Sequence, residues 1–229
     1  MALNNMETCI INVGVDYWYP KGTKRLKETL IENGWNGDML IDTDYPDNSP
    51  IHEINPYAFK VFQFEKALSL GYKKIFWMDC SIVSSPNPNK IIEIMNENPC
   101  YFVKNGQSVG QETNDYTLRY FQIKRDDAME LPQICSGFFG LDFDTELGQN
   151  IFRSWKHACA NGCFKGNRVH DKRDSKDPRF LHHRQDQSSL SLAIYTCTET
   201  PQKYIHEMSD SLTYDYNKEN RQEFLCHGM

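Results

Sequence analysis

Three short apolar runs each end on an aspartate: TCIINVGV (8–15) is followed by Asp16, DMLID (38–42) closes on Asp42, and IFWMD (75–79) closes on Asp79. Helical patterns separate them. Between Gly22 and Asn33, Leu26, Leu30 and Ile31 mark an apolar face that stops at Gly34, and between Tyr57 and Leu70, Phe59, Phe62, Phe64, Ala67 and Leu68 form a stripe that stops at Gly71. Strand, helix, strand, helix, strand is the order of an α/β domain with a mixed, mainly parallel sheet flanked by helices. In such sheets ligands bind in the crevice beyond the carboxyl ends of the strands. All three aspartates fall near such an end, and their shared position says more than any one of them.

The 229 residues, 39% hydrophobic, suffice for one sizeable core, so a single domain over 1–229 is expected. A formal net charge of -6 with dispersed basic residues excludes a nucleic-acid footprint. The start, MALNNMETCIINVGV, lacks the pattern of a secretory signal, and no apolar run is long enough to span a bilayer, so a soluble, cytoplasmic protein is expected. The eight cysteines form no CxxC pair; Cys159 and Cys163, four apart at a helix end, are the one weak metal signal, and the rest read as reduced, packed thiols.

Within 75–83, IFWMDCSIV, a charge at the end of an apolar strand calls for a reason. If the strand runs on, Asp79 and Ser81 point the same way and two oxygens face one metal ion or one phosphate. The competing reading is a strand entering a turn, with both side chains bonded to local backbone. Further along, a helix near 89–97, a strand at 100–103, a loop at 104–115 and a short ordered element at 116–123 are expected. The segment ICSGFFGLDF (134–143) combines apolar residues with two glycines, and Gly137 allows backbone to approach a ligand. A helix at 149–160 precedes 161–185, which is polar, nearly free of aliphatics and reads as a mobile loop. The last helix, 186–195, opens on Asp186, either an ordinary acidic helix start or a carboxylate facing the crevice as a general base.

The segment FLHHRQDQSSLSL (180–192) resembles the H-R-x-D-Q-S-x-x-S-L signature of small nucleotide-sugar-dependent glycosyltransferases of the GT-A fold, found in polysaccharide gene clusters and in large DNA viruses. His183, Arg184, Asp186, Gln187, Ser188, Ser191 and Leu192 carry the match. Upstream, YAFKVFQFEKAL and IFWMDCS are similar to the family's tyrosine-lysine helix and its apolar strand ending W-x-D-x-S, and CSGFFGLD is similar to its small-Gly-aromatic segment. The resemblance runs from the first strand to 195.

It implies a GT-A-like, Rossmann-like domain with a nucleotide-binding half over about 1–104 and an acceptor and catalytic half over about 105–229. The donor is a nucleoside-diphosphate sugar, the acceptor a glycan or glycoprotein hydroxyl, and the location the host cytoplasm if the source is viral. The metal is Mn2+ or Mg2+, held by Asp79 with Ser81, since the family's D-x-D is D-C-S here. His227 is the expected third ligand, with His206 behind it. Val13, Gly14, Val15, Asp16 and Tyr17 are expected around the nucleotide, Asp42 at a ribose or base edge, and Lys60 and Arg184 at phosphate. Asp186 and Gln187 are the catalytic pair. Asp186 takes the acceptor's proton in an inverting reaction, or both steady the sugar in a retaining one. Lys172, Arg173, Arg179 and Arg184 belong to a loop expected to close over the diphosphate. Two rivals stand beside this reading. A nucleotidyltransferase normally has a Gly-rich, basic loop after the first strand, where this chain has VGVDYWYPKG; a non-catalytic carbohydrate binder would use the aromatics instead.

Overall fold

A computed structural model of the chain describes residues 7–16, 18–84, 87–167 and 171–207. The first strand, β1 (Thr8–Val13), leads through α1 (Tyr19–Glu32) to β2 (Asp38–Asp42), and α2 (Ala58–Ser69) leads to β3 (Lys74–Met78). Then follow α3 (Lys90–Glu97), β4 (Cys100–Ser108), α4 (Asp115–Tyr120), α5 (Arg125–Met129), β5 (Pro132–Asp142), α6 (Glu146–Ala160), α7 (Asp186–Cys197), a 3-10 turn (Pro201–Tyr204) and β6 (Ile205–His206). The sheet order is β2-β1-β3-β5-β4-β6. Pairs β1–β2, β1–β3 and β4–β6 are parallel, whereas β5 runs antiparallel to both its neighbours, so the sheet is mixed and mainly parallel, as the element order predicts.

The period-2 alternation of strand side chains divides the core in two. Ile11, Ile75, Trp77, Phe102 and Phe139 join Phe64 of α2, Trp155 of α6 and Leu190 of α7 on one face. Ile10, Phe76, Met78, Tyr101 and Phe138 join Leu26 of α1 and Ile92 of α3 on the other. Covering both faces explains why the central strands read as near-continuous apolar runs. Among the described residues no helix is long and apolar enough to cross a membrane.

Two expectations change here. Strand β3 stops at Met78, and the Ile82 N–H donates to Asp79 O at 2.9 Å, so Asp79 opens a turn and strand alternation no longer aligns it with Ser81. The stretch 104–115 is not all loop: β4 continues to Ser108 through two register shifts against β5. The polar segment after α6 is irregular but anchored at both ends of its described parts. Phe164 and Phe180 are buried, Thr117 Oγ1 donates to Cys163 O, and the Asp115 N–H donates to Asp174 O.

Candidate active site

The carboxyl ends of β1 and β3 are held together by a buried amide. Asn12 Nδ2 donates to Met78 O at 2.6 Å, and Thr23 Oγ1 of α1 donates to Asn12 Oδ1 at 2.8 Å. Gly14 fits beneath this contact because there is no room for a side chain: an added Cβ would lie 1.9 Å from Thr23 Oγ1. Its N–H donates to Asp42 O at 2.9 Å. Antiparallel β5 brings Ser136 and Gly137 beside the end of β3, where Gly137 O accepts the Asp79 N–H at 2.7 Å.

Into this corner α2 sends Lys60, only 2% exposed. Its ammonium donates to Ser136 O at 2.9 Å and stands 2.9 Å from Asp186 Oδ2 and 3.5 Å from Asp79 Oδ1. The rings of Tyr57 and Trp77 lie 5.1 and 5.0 Å from it, within cation–π range. Burial alone would lower the lysine pKa, but the carboxylates of Asp186 and then Asp79 outweigh it and hold it above its ordinary value, so Lys60 is charged. Asp186 Oδ2 is buried, and the Lys60 ammonium at 2.9 Å is the group that meets its charge. Trp77 Nε1 donates to Asp79 Oδ1 at 2.6 Å. The two carboxylates differ in access: the Asp79 side chain is 38% exposed and that of Asp186 3%. One ammonium between two carboxylates leaves a formal negative charge unmatched, at the partly open side.

Gln187 extends this knot. Its Oε1 accepts the Ser136 N–H at 3.4 Å and its Nε2 donates to Glu112 Oε2 at 3.3 Å. Glu112 is 2% exposed, and burial raises its pKa against the opposing pull of Arg184 and the Gln187 bond. His182 Nε2 lies 3.2 Å from its Oε1. Backbone bonds to Glu112 O from the Arg184 N–H and Ser188 Oγ fix the entry to α7. Glu112 falls in a stretch that carries no pattern in the sequence, and only β4's continuation to Ser108 places it here.

The motif's other residues are distributed by role. His183 is fully buried; its Nδ1 accepts the Asn114 N–H at 3.2 Å and its Nε2–H faces Cys163 O at 2.9 Å. Burial lowers its pKa to about 4, so it is a neutral structural imidazole. Ser191 Oγ accepts the Ile134 N–H and joins α7 to β5. Gln185, not Asp186, is the N-cap residue of α7, and that helix start has no side-chain cap.

Around the nucleotide positions, Val13 is buried, Val15 half-buried and Asp16 exposed with φ 66°. Asp42 Oδ2 accepts from Gln63 Nε2 at 2.8 Å and Lys66 Nζ at 2.7 Å. Lys60 is enclosed by its two carboxylates, and Arg184 is half-buried near Glu112. Arg173 and Arg179 pair with Asp171 and Asp177 of their own segment, and Arg179 also with Asp126. Tyr17 and His227 lie outside the described residues. His206 stacks on Tyr101 with centroids 4.5 Å apart, on a strand separated from β3 by β5 and β4, a span of roughly 14 Å at the usual strand spacing. Cys159 and Cys163 are buried thiols pushed up by burial to about 12 and about 11.

Among the described residues no group of three or more His, Cys, Asp and Glu side chains could hold a metal ion. Asp79, with Ser81 half-buried and no longer aligned with it by strand alternation, can therefore supply only part of a coordination shell. An ion bound there would need most of its ligands from water or phosphate, a demand that Mg2+-type ions commonly meet.

Neither a protein-family model nor a curated protein sequence matches the chain. Among solved structures, the crystal structure of a glycosyltransferase involved in the glycosylation of the major capsid of PBCV-1 is similar over 67% of this chain and 68% of that one, at 14% identity and a TM-score of 0.38. A likeness that loose carries no conclusion about chemistry.

Proposed function

We propose that the chain is a glycosyltransferase that moves a hexose or deoxyhexose from a nucleoside-diphosphate sugar to a glycan hydroxyl. The observation that carries this reading is the buried Asp79–Lys60–Asp186 knot at the carboxyl ends of β1 and β3, with its unmatched negative charge at the partly exposed Asp79. Taking an ion pair out of water is costly, and an apolar cluster would serve folding as well, so a buried pair at the strand ends calls for another reason. A divalent cation at Asp79 and Ser81, completed by the donor's diphosphate, would neutralise both the knot and the departing group. The H-R-x-D-Q-S resemblance supports the same assignment.

Lys60 ties Asp79 and Asp186 to one ammonium that is itself anchored on Ser136 O. Asp79 orients the diphosphate. Asp186 takes the acceptor's proton as the acceptor oxygen bonds to the anomeric carbon and the bond to the diphosphate breaks, its electron pair leaving with phosphate. That base role requires Asp186 to be uncovered when substrates bind, because it is 3% exposed in this state. Gln187, fixed between Ser136 and Glu112, holds the start of α7 so that Asp186 is presented to the sugar.

The test is a panel of nucleoside-diphosphate sugars incubated with the chain and Mn2+, with release of nucleoside diphosphate as the readout. Slow hydrolysis of at least one donor, abolished by Asp186→Asn while nucleotide binding persists, is expected. No hydrolysis and no nucleotide binding across the panel would favour a carbohydrate-binding protein.

A further inference from the structure

Beside the knot lies a cleft of about 700 Å³, between the 52–56 loop and residues of 165–167 and 171–174, and Gln185 lines it. That volume is within the usual range for small-molecule sites, roughly 300–1,000 Å³. Two features tie the cleft to the knot. Gln185 immediately precedes Asp186, and Pro56 on the opposite wall immediately precedes Tyr57, whose ring lies 5.1 Å from Lys60 Nζ.

Gln185 is unusual in two independent ways. Its backbone, at φ 53° and ψ −114°, occupies a conformation that favours glycine, closed by the Gln187 N–H donating to Arg184 O at 3.0 Å. Such conformations are costly and gather at functional sites. Its side chain is also pinned: Nε2 donates to Gly166 O at 2.9 Å, while Oε1, in a residue 5% exposed, has no hydrogen-bond partner among the described residues. Leaving a buried amide oxygen unpaired is costly, so two unfavourable features meet at one residue of the cleft wall.

The charge of the cleft selects the ligand. Glu53, Asp171 and Asp174 outnumber Lys165 and Arg173 by one, and Arg173 is already paired with Asp171. Among the lining residues Lys165 is the cation left outside that pair, against Glu53 and Asp174, so the net negative charge disfavours a diphosphate. An uncharged polyhydroxyl compound fits better, with polar side chains at Glu53, Asn167 and Asp174 and an apolar platform at Ile54, 63% exposed.

We propose that this cleft binds the acceptor as an uncharged saccharide, separate from the donor diphosphate. The proposal rests on the glycosyltransferase reading only for the word acceptor. The test is saturation-transfer-difference NMR on the full chain with methyl glycosides of glucose, galactose, mannose, rhamnose and fucose, with and without nucleoside diphosphate and Mn2+. At least one glycoside should show transfer that persists when nucleotide is present. Ile54→Glu and Asn167→Ala, both at exposed positions, should each weaken its binding roughly tenfold and leave nucleotide binding unchanged. Equal binding by both variants, or no transfer to any glycoside at millimolar concentration, overturns the cleft. Saccharide binding with the expected variant effects but no nucleotide binding would instead overturn the glycosyltransferase reading and leave the cleft standing.

Discussion

Ion pairs occur in two very different settings in this molecule. In the knot, Lys60 and Asp186 are 2% and 3% exposed, come from α2 and α7, and are separated by most of the chain. In the segment after α6, Arg173 is 85% exposed and pairs with Asp171 two residues away. The second kind is local and solvated, and such pairs add little to stability. The first kind carries a desolvation cost that a well-packed apolar cluster would avoid, so its retention at the strand ends points to chemistry rather than to folding. The difference teaches that position and burial, not the number of charges, mark the site.

The comparison breaks first at Lys60. Lys60→Met should leave the buried Asp186 and its neighbour Asp79 without their shared cation and cost about 3–5 kcal/mol, read from the urea midpoint of unfolding. A loss no larger than that of a surface substitution would mean the knot is not buried as described. In the native chain, Lys60's raised pKa keeps its contribution complete below the ordinary lysine value of 10.5, and it is lost only at still higher pH.

A second, smaller effect comes from His183. Its folded pKa of about 4 lies below the ordinary 6.5, so the unfolded chain takes up the proton first as pH falls. Stability is complete above pH 6.5 and declines by roughly 3 kcal/mol towards pH 4 from this group. Denaturant titrations across that window should show a steeper decline in the native chain than in His183→Gln; parallel curves would remove His183 from the account. The smallest effect belongs to the exposed pairs. Arg179→Ala should leave the melting temperature within experimental scatter at any salt concentration, and a drop of several degrees would show that the segment's ion pairs act together.

Much of the fold was legible because both faces of the sheet are covered. Continuous apolar runs such as CIINV and IFWM could only be central strands, and the glycines at 34 and 71 closed their helices. The short α5 and the two-residue β6 carried no period long enough to read. The extension of β4 to Ser108 was hidden because Lys104, Asn105, Gly106 and Gln107 look like a turn. At the site, the aspartates at the strand ends and the α7 motif were readable as residue types. What Lys60 does was not. The resemblance puts Lys60 at phosphate, and nothing local shows that β5 will bring Ser136 O and α7 will bring Asp186 to its ammonium. Gln185 was equally silent, because backbone strain at a non-glycine residue has no sequence signature. Glu112 depends on the register of β4 and the return of 180–188 across it, both long-range.

The central claim is that the open side of the knot, at Asp79, receives a cation and a diphosphate. Calorimetric titration of nucleoside diphosphates into the native chain and into Asp79→Asn, each with and without Mn2+, tests it most directly. Saturable binding of at least one nucleotide that depends on Mn2+ in the native chain, and loses that dependence in Asp79→Asn, is the predicted result. Equal Mn2+-dependent binding by both proteins, or no binding of any nucleotide by the native chain, would contradict it.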